Sequence, residues 1–120
     1  MRRYFVTLAY EPTMWSRADE QTRARYHQEH LAFHQAVAQR AHLVAGEALA
    51  GPETATTLRH VDGRAVLTEG PFAESAEVVG GFYLVDADDL DVMTSLCELL
   101  PKAYSLEIRP VVQVEGFETR

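Results

Sequence analysis

Three of the five histidines, His27, His30 and His34, fall in one short stretch of the chain. His30 and His34 are four apart, so on a helix both can face one ligand. Metal-binding helices use this spacing, and HLAFH invites comparison with HExxH. Leu31 stands where that motif has glutamate, however, and no third ligand suggests itself. The expectation is no metal and no other cofactor. His30 differs from the other two because it falls on an apolar stripe, where an imidazole must find hydrogen-bond partners. It is either a satisfied core histidine or a group that moves a proton near neutral pH.

Acids and one base form the second set. Glu69 ends a strand-like run just before Gly70-Pro71, a place where site residues are common, although a solvated turn acid fits it too. Glu107 and Arg109 alternate with Leu106 and Ile108. If the aliphatic pair faces the helices, the charged pair faces the other side of the sheet. There it would form a structural ion pair or hold a polar ligand. Tyr83, between Phe82 and Leu84, is placed on that same side by alternation. Cys97 is the only cysteine, which excludes a disulfide framework and a CxxC site. There is no GxGxxG, P-loop or GxSxG.

The elements that must position these groups are short and change type often. Residues 3–10 (RYFVTLAY) read as a strand. Ser16, with Asp19 as its acidic partner, reads as a helix cap. Tyr26, His30, Phe33, Val37, Ala41 and Val44 recur at steps of four and three, predicting a helix to about Ala45. Residues 54–60 and 64–69 flank Val61-Asp62-Gly63, a hairpin signal. FYLVDA after Gly80-Gly81 is a further strand, 88–100 a second helix stopped by Pro101, and 105–109 a last strand.

With 120 residues, 47% of them hydrophobic and 24% charged, the chain fits one globular domain over residues 1–120. Its net charge of −7 is uneven. Residues 1–60 hold seven Arg against six acids, and residues 61–120 four Lys and Arg against twelve acids. That balance argues against a nucleic-acid partner. The start makes a poor signal peptide, and no apolar run approaches the ~20 residues of a membrane helix. The expected setting is cytoplasmic.

The order β, long α, ββ, β, α, β approaches the α+β ferredoxin-like β-α-β-β-α-β unit with an extra hairpin strand. Such a sheet carries helices on one face only, so a second copy is the simplest cover for the other. TATTLRHVDGRAVLTEGPFAES, then GGFYLVDADDLD and EIRPV, together with Trp15 and EHLAF, resemble the DGPF branch of the YCII-related family. The resemblance spans nearly the whole chain. It implies a dimeric α/β-barrel, a small-molecule site with a histidine of the first helix at the position of His30, and, for some members, a link to extracytoplasmic-function sigma factors.

The chain departs from that pattern in three places. Glu69 stands for the motif aspartate, Ala76 for a lysine, and Leu100-Pro101 for an Asp-Pro whose acid is thought to pair with the histidine. Glu69, Glu107 and Glu74 are the candidates to replace that carboxylate. The expected site is thus His30 and Glu69 as catalytic pair, with Arg109, Glu107, Tyr83 and Glu74 binding a small organic substrate. The alternative is a non-catalytic regulatory partner of a sigma factor, docking through the acidic second half.

Overall fold

The computed structural model describes residues 1–117. It is a mixed α+β fold with the elements β1 (Arg2–Tyr10), α1 (Met14–Arg17), α2 (Glu20–Arg40), β2 (His42–Ala48), a 3-10 turn (Pro52–Thr54), β3 (Thr56–Val61), β4 (Arg64–Glu69), β5 (Val78–Ala87), α3 (Leu90–Cys97) and β6 (Ser105–Pro110). Four strands form one sheet in the order β2-β5-β1-β6, and every neighbouring pair is antiparallel. Counting only these four strands, first and third are central and second and fourth are the edges, which is the ferredoxin-like arrangement. No described helix is long and apolar enough to cross a membrane.

One face of the sheet is buried under the helices. Tyr4, Val6 and Leu8 from β1, Tyr83, Val85 and Ala87 from β5, and Phe33, Val37, Met93, Leu96, Cys97 and Leu100 form a single core. The strands contribute alternate residues because side chains alternate across a pleated sheet. The helices contribute at steps of three and four, as Tyr26, Phe33 and Val37 do on α2. Burial pushes the Cys97 thiol up to about 11, which keeps it an inert core residue.

Three boundaries differ from the expectation. Asp19, not Ser16, caps the long helix, its Oδ1 accepting from the Thr22 N–H at 2.8 Å. Ser16 belongs to α1, whose free carbonyls receive the Arg23 side chain at the Trp15 and Ser16 oxygens, 2.9 and 3.1 Å away. The long helix stops at Arg40 and residues 42–48 are a strand, so Val44 is not a helix residue. The 21 residues of α2 rise about 31 Å, as far as the ten-residue β5 runs beside it, so the chain has to turn there.

That strand is the second strand of the ferredoxin-like unit. The hairpin is therefore not one extra strand but a whole addition, a separate two-stranded sheet of β3 and β4. Asp62 and Gly63 close it with φ of 52° and 76°, the backbone of a primed two-residue turn. Leu58 and Leu67 are paired across it and are 55% and 67% exposed. A lone hairpin gains little stability in water. We expect its amides to exchange with solvent far faster than those of β1 and β5, as hydrogen-exchange mass spectrometry would show.

Candidate functional site

The long helix α2, the strands β2 and β5 and the end of β1 line a cavity of about 440 Å³. Its walls include Trp15, His30, His34, Tyr83, Tyr104 and Tyr10, with backbone from Gly46, Gly80 and Gly81. His30 is one helical turn before His34 and hangs over Tyr83, which points up from the buried face of β5. Trp15 packs edge-on against Tyr26 at 5.0 Å and so fixes α1 as one side of the opening. Tyr10 and Tyr104 stack at 4.9 Å and form another side.

Both ring nitrogens of His30 are engaged. Nδ1 lies 2.7 Å from the Tyr83 hydroxyl and Nε2 lies 2.8 Å from the Tyr104 hydroxyl. The Tyr83 hydroxyl also meets His34 Nε2 at 3.0 Å. These are short, neutral hydrogen bonds with no carboxylate in them. Burial lowers the pKa of His30, and the nearby His34 and His27 lower it further. Burial pushes the Tyr83 phenol up to about 12, and it raises Tyr104 and Tyr10 as well. At neutral pH the site is thus an uncharged imidazole among protonated phenols. It can accept a proton on a nitrogen and donate one from a hydroxyl; Glu47 is the acid on its wall, and no Lys or Arg among the described residues lines it.

Two glycines make room for this. A Cβ on Gly46 would sit 2.5 Å from the Tyr83 ring, and one on Gly80 would sit 2.0 Å from the Tyr10 hydroxyl. Tyr83 cannot swing away, because Phe33 packs on its ring at 4.6 Å and His30 and His34 hold its hydroxyl. Gly46→Ala is therefore expected to cost about 1–3 kcal/mol, the usual penalty of overpacking a tight site, measured as a lowered urea midpoint at unchanged slope.

The expected site residues separate sharply. His30 and Tyr83 meet in the cavity. Tyr83 is on the helix side, opposite Val6, and not with Glu107 and Arg109 as alternation suggested. Glu107 and Arg109 lie opposite Thr7 and Phe5 on the open face of the sheet, both exposed and, among the described residues, not paired with each other. Glu69 ends β4 opposite Thr56 on the detached hairpin, and Glu74 is exposed in the loop after it. Within one chain the partners of His30 are thus Tyr83 and Tyr104, and neither Glu69, Glu74 nor Glu107 supplies its hydrogen bond. Leu100, where the acid was missing, is a buried core residue, and Tyr104 nearby provides the hydroxyl instead. A tyrosine just past Pro101 was the one available sequence signal for it. Among the described residues no group of three or more His, Cys, Asp and Glu is arranged to hold a metal.

The family model of the YCII-related domain matches residues 3–115. The chain belongs to the YCII-related domain family. It is also 41% identical over 61 residues to an uncharacterized protein of Rhizobium meliloti (strain 1021), a match covering 48% of this chain and 49% of that protein. The chain thus spans about half the length of the curated relative it matches. Membership in the YCII-related family does not by itself give an activity; the chemistry has to be read from the cavity itself.

The neutral state of His30 has a consequence for stability. An unfolded chain protonates this histidine below its ordinary value of about 6.5, whereas the folded chain resists. The unfolded state therefore binds more protons as pH falls through that region, and folding loses stability there until the folded ring also protonates. Urea midpoints at pH 7.5 and 5.0 are expected to drop more for the wild type than for His30→Gln.

Proposed function

We propose that the cavity binds a small, uncharged, oxygen-bearing organic molecule and that His30 transfers a proton to or from it. The observation that carries this reading is the pair of hydroxyl contacts on His30. They hold a neutral imidazole by both nitrogens in a cavity lined by aromatic rings and Glu47, with no Lys or Arg among the described residues to hold an anion. Aromatic walls suit a ring or a planar carbonyl compound. Tyr104 is placed to donate to its oxygen, and the chemistry would be isomerisation or cleavage without a cofactor, driven by proton transfer.

A thermal-shift screen of small cyclic ketones, lactones and phenols, alongside carboxylic acids as charged controls, tests it. A neutral ligand at about 100 Kd should stabilise the fold by about 2.7 kcal/mol. His30→Gln and Tyr104→Phe should weaken the response. Preference for the carboxylic acids would overturn the reading, and a protein that answers to none of these compounds would turn attention to regulatory docking through its acidic half.

The same proposal includes a homodimer. The helices cover one face of the sheet, and the other carries Phe5, 38% exposed, stacked on Phe82 at 5.3 Å. A second copy placed against this face would bury both rings. Light scattering at micromolar concentration is expected to give the mass of two chains, and a well-folded monomer there would remove the barrel.

A further inference from the structure

We propose that Tyr104, His30, Tyr83 and His34 form a directional proton relay, in which the exposed His34 is the solvent end and the Tyr104 hydroxyl is the cavity end. The inference rests on the reading of the cavity as the working site, and it goes beyond it by assigning a role to His34 and Tyr83.

The hydrogen-bond count forces a direction. The chain has three links, at 2.8, 2.7 and 3.0 Å. Neutral imidazole has one N–H and one bare nitrogen, and a phenol has one O–H. If Tyr104 donates to His30 Nε2, the ring proton is on Nδ1, which donates to Tyr83, and Tyr83 keeps its own proton hydrogen-bonded only by donating to His34. If instead His30 Nε2 donates to Tyr104, Nδ1 is bare and accepts from Tyr83, so His34 Nε2 must donate to Tyr83. A third arrangement, with both imidazoles donating to Tyr83, would leave the Tyr83 proton without an acceptor, because the two contacts its hydroxyl makes among the described residues are these imidazoles. In the second arrangement the Tyr104 proton is free to point into the cavity.

Passing one proton exchanges the two arrangements. Starting from the second, a solvent proton lands on His34 Nδ1. The Nε2 proton of His34 moves to Tyr83, the Tyr83 proton to His30 Nδ1, the His30 Nε2 proton to Tyr104, and the Tyr104 proton to the ligand. Every group ends neutral, the ligand has gained one proton, and the first arrangement is left. Abstraction from the ligand runs the same path backwards. Burial raises both phenols, which disfavours a phenolate along the path. The route does not depend on water inside the cavity, which a bound ligand would displace. His34 is then a positioning residue that acts through Tyr83.

The relay makes the His30 tautomer depend on a different residue. A protonated His34 has only N–H groups and can only donate to Tyr83, which selects the second arrangement. The other titratable groups around this pair are His27 on α2, Tyr83 on β5, Tyr104 before β6, Tyr10 on β1, Tyr26 on α2 and Glu47 of β2 at the cavity wall. None of them bridges the two imidazoles as Tyr83 does.

Ring-nitrogen NMR of the ligand-free, 15N-histidine-labelled protein, recorded as a function of pH, reads the protonation of His34 and the tautomer of His30 separately. The expected result is that the His30 population with its proton on Nε2 rises to near completion in step with His34 protonation. In Tyr83→Phe, which keeps the ring and removes the hydroxyl, that step should vanish. If Tyr83→Phe does not fold, His34→Gln should abolish the pH step instead. A His30 tautomer that is the same on both sides of the His34 titration overturns the relay, and so does a step that survives either variant. Because no ligand is present, this outcome is independent of the thermal-shift screen, and either can fail alone.

Discussion

Replacing Phe33 by alanine is expected to destabilise the fold by about 3–5 kcal/mol. Phe33 has no exposure at all and is the largest of the fully buried side chains. It sits between the long helix and the sheet, with its ring 4.6 Å from that of Tyr83 and 6.2 Å from that of His34. Alanine would leave a cavity that the four-stranded sheet cannot close by shifting, since β5 is held on both sides by β1 and β2. A second effect should accompany the loss of stability. Tyr83 would lose its backing, and the hydroxyl that joins His30 and His34 would wander. Urea unfolding followed by circular dichroism gives the first quantity, and broadening of the His30 ring resonances gives the second. A loss below about 1 kcal/mol would show that the helix can settle into the gap and that the core is less rigid than its burial implies.

Phe5→Arg is expected to break the proposed dimer while leaving each chain folded. Phe5 points away from the core, stacks on Phe82, and stands directly opposite Arg109 on the neighbouring strand. An arginine there adds charge to a face that a second copy would have to dehydrate, and it confronts Arg109 across the strand pair. Aromatic anchors at the centre of an interface are worth about 2 kcal/mol or more, so the dissociation constant should rise roughly 30-fold at least. Sedimentation at several concentrations measures it. An unchanged dimer would move the interface off this face and onto the hairpin or the sheet edge.

Much of the fold was legible in the sequence, and the reasons for the exceptions are physical. The strand at residues 3–10, the Asp-Gly turn and the second helix carry local signals strong enough to stand alone. The end of the long helix does not. Ala41 and Val44 continue the helical spacing by coincidence, and nothing such as Gly or Pro marks the stop at Arg40. Tyr83 shows a different failure. Phe82 and Leu84 on one side and Tyr83 and Val85 on the other are all large and apolar, so alternation gives two faces without saying which is inner. The pairing of Tyr83 with Val6 decides it, and pairing is non-local.

The candidate site follows the same rule. His30 could be found from its own helix. Its partners come from 53 and 74 residues away in sequence, which no spacing rule connects. An acid was expected because imidazoles so often take one. Here two phenols meet the same hydrogen-bonding need without charge, and Glu69 is left on a hairpin that does not reach the ring.

The hairpin leaves and rejoins the sheet at one spot. Ala48 is opposite Gly81, and the Leu49 N–H donates to the Gly80 carbonyl at 2.9 Å, so the chain departs and returns between two strands that are already paired. Everything in residues 50–77 is, for the sheet, a detour between neighbouring ends. Lineages can lengthen, trim or replace such a detour without disturbing a strand register, because closing a longer loop costs only about 0.6 kcal/mol per doubling. The arm is therefore the part of this fold whose length the sheet does not constrain, whereas at Gly46 the Tyr83 ring, 2.5 Å from where a Cβ would sit, leaves no such freedom.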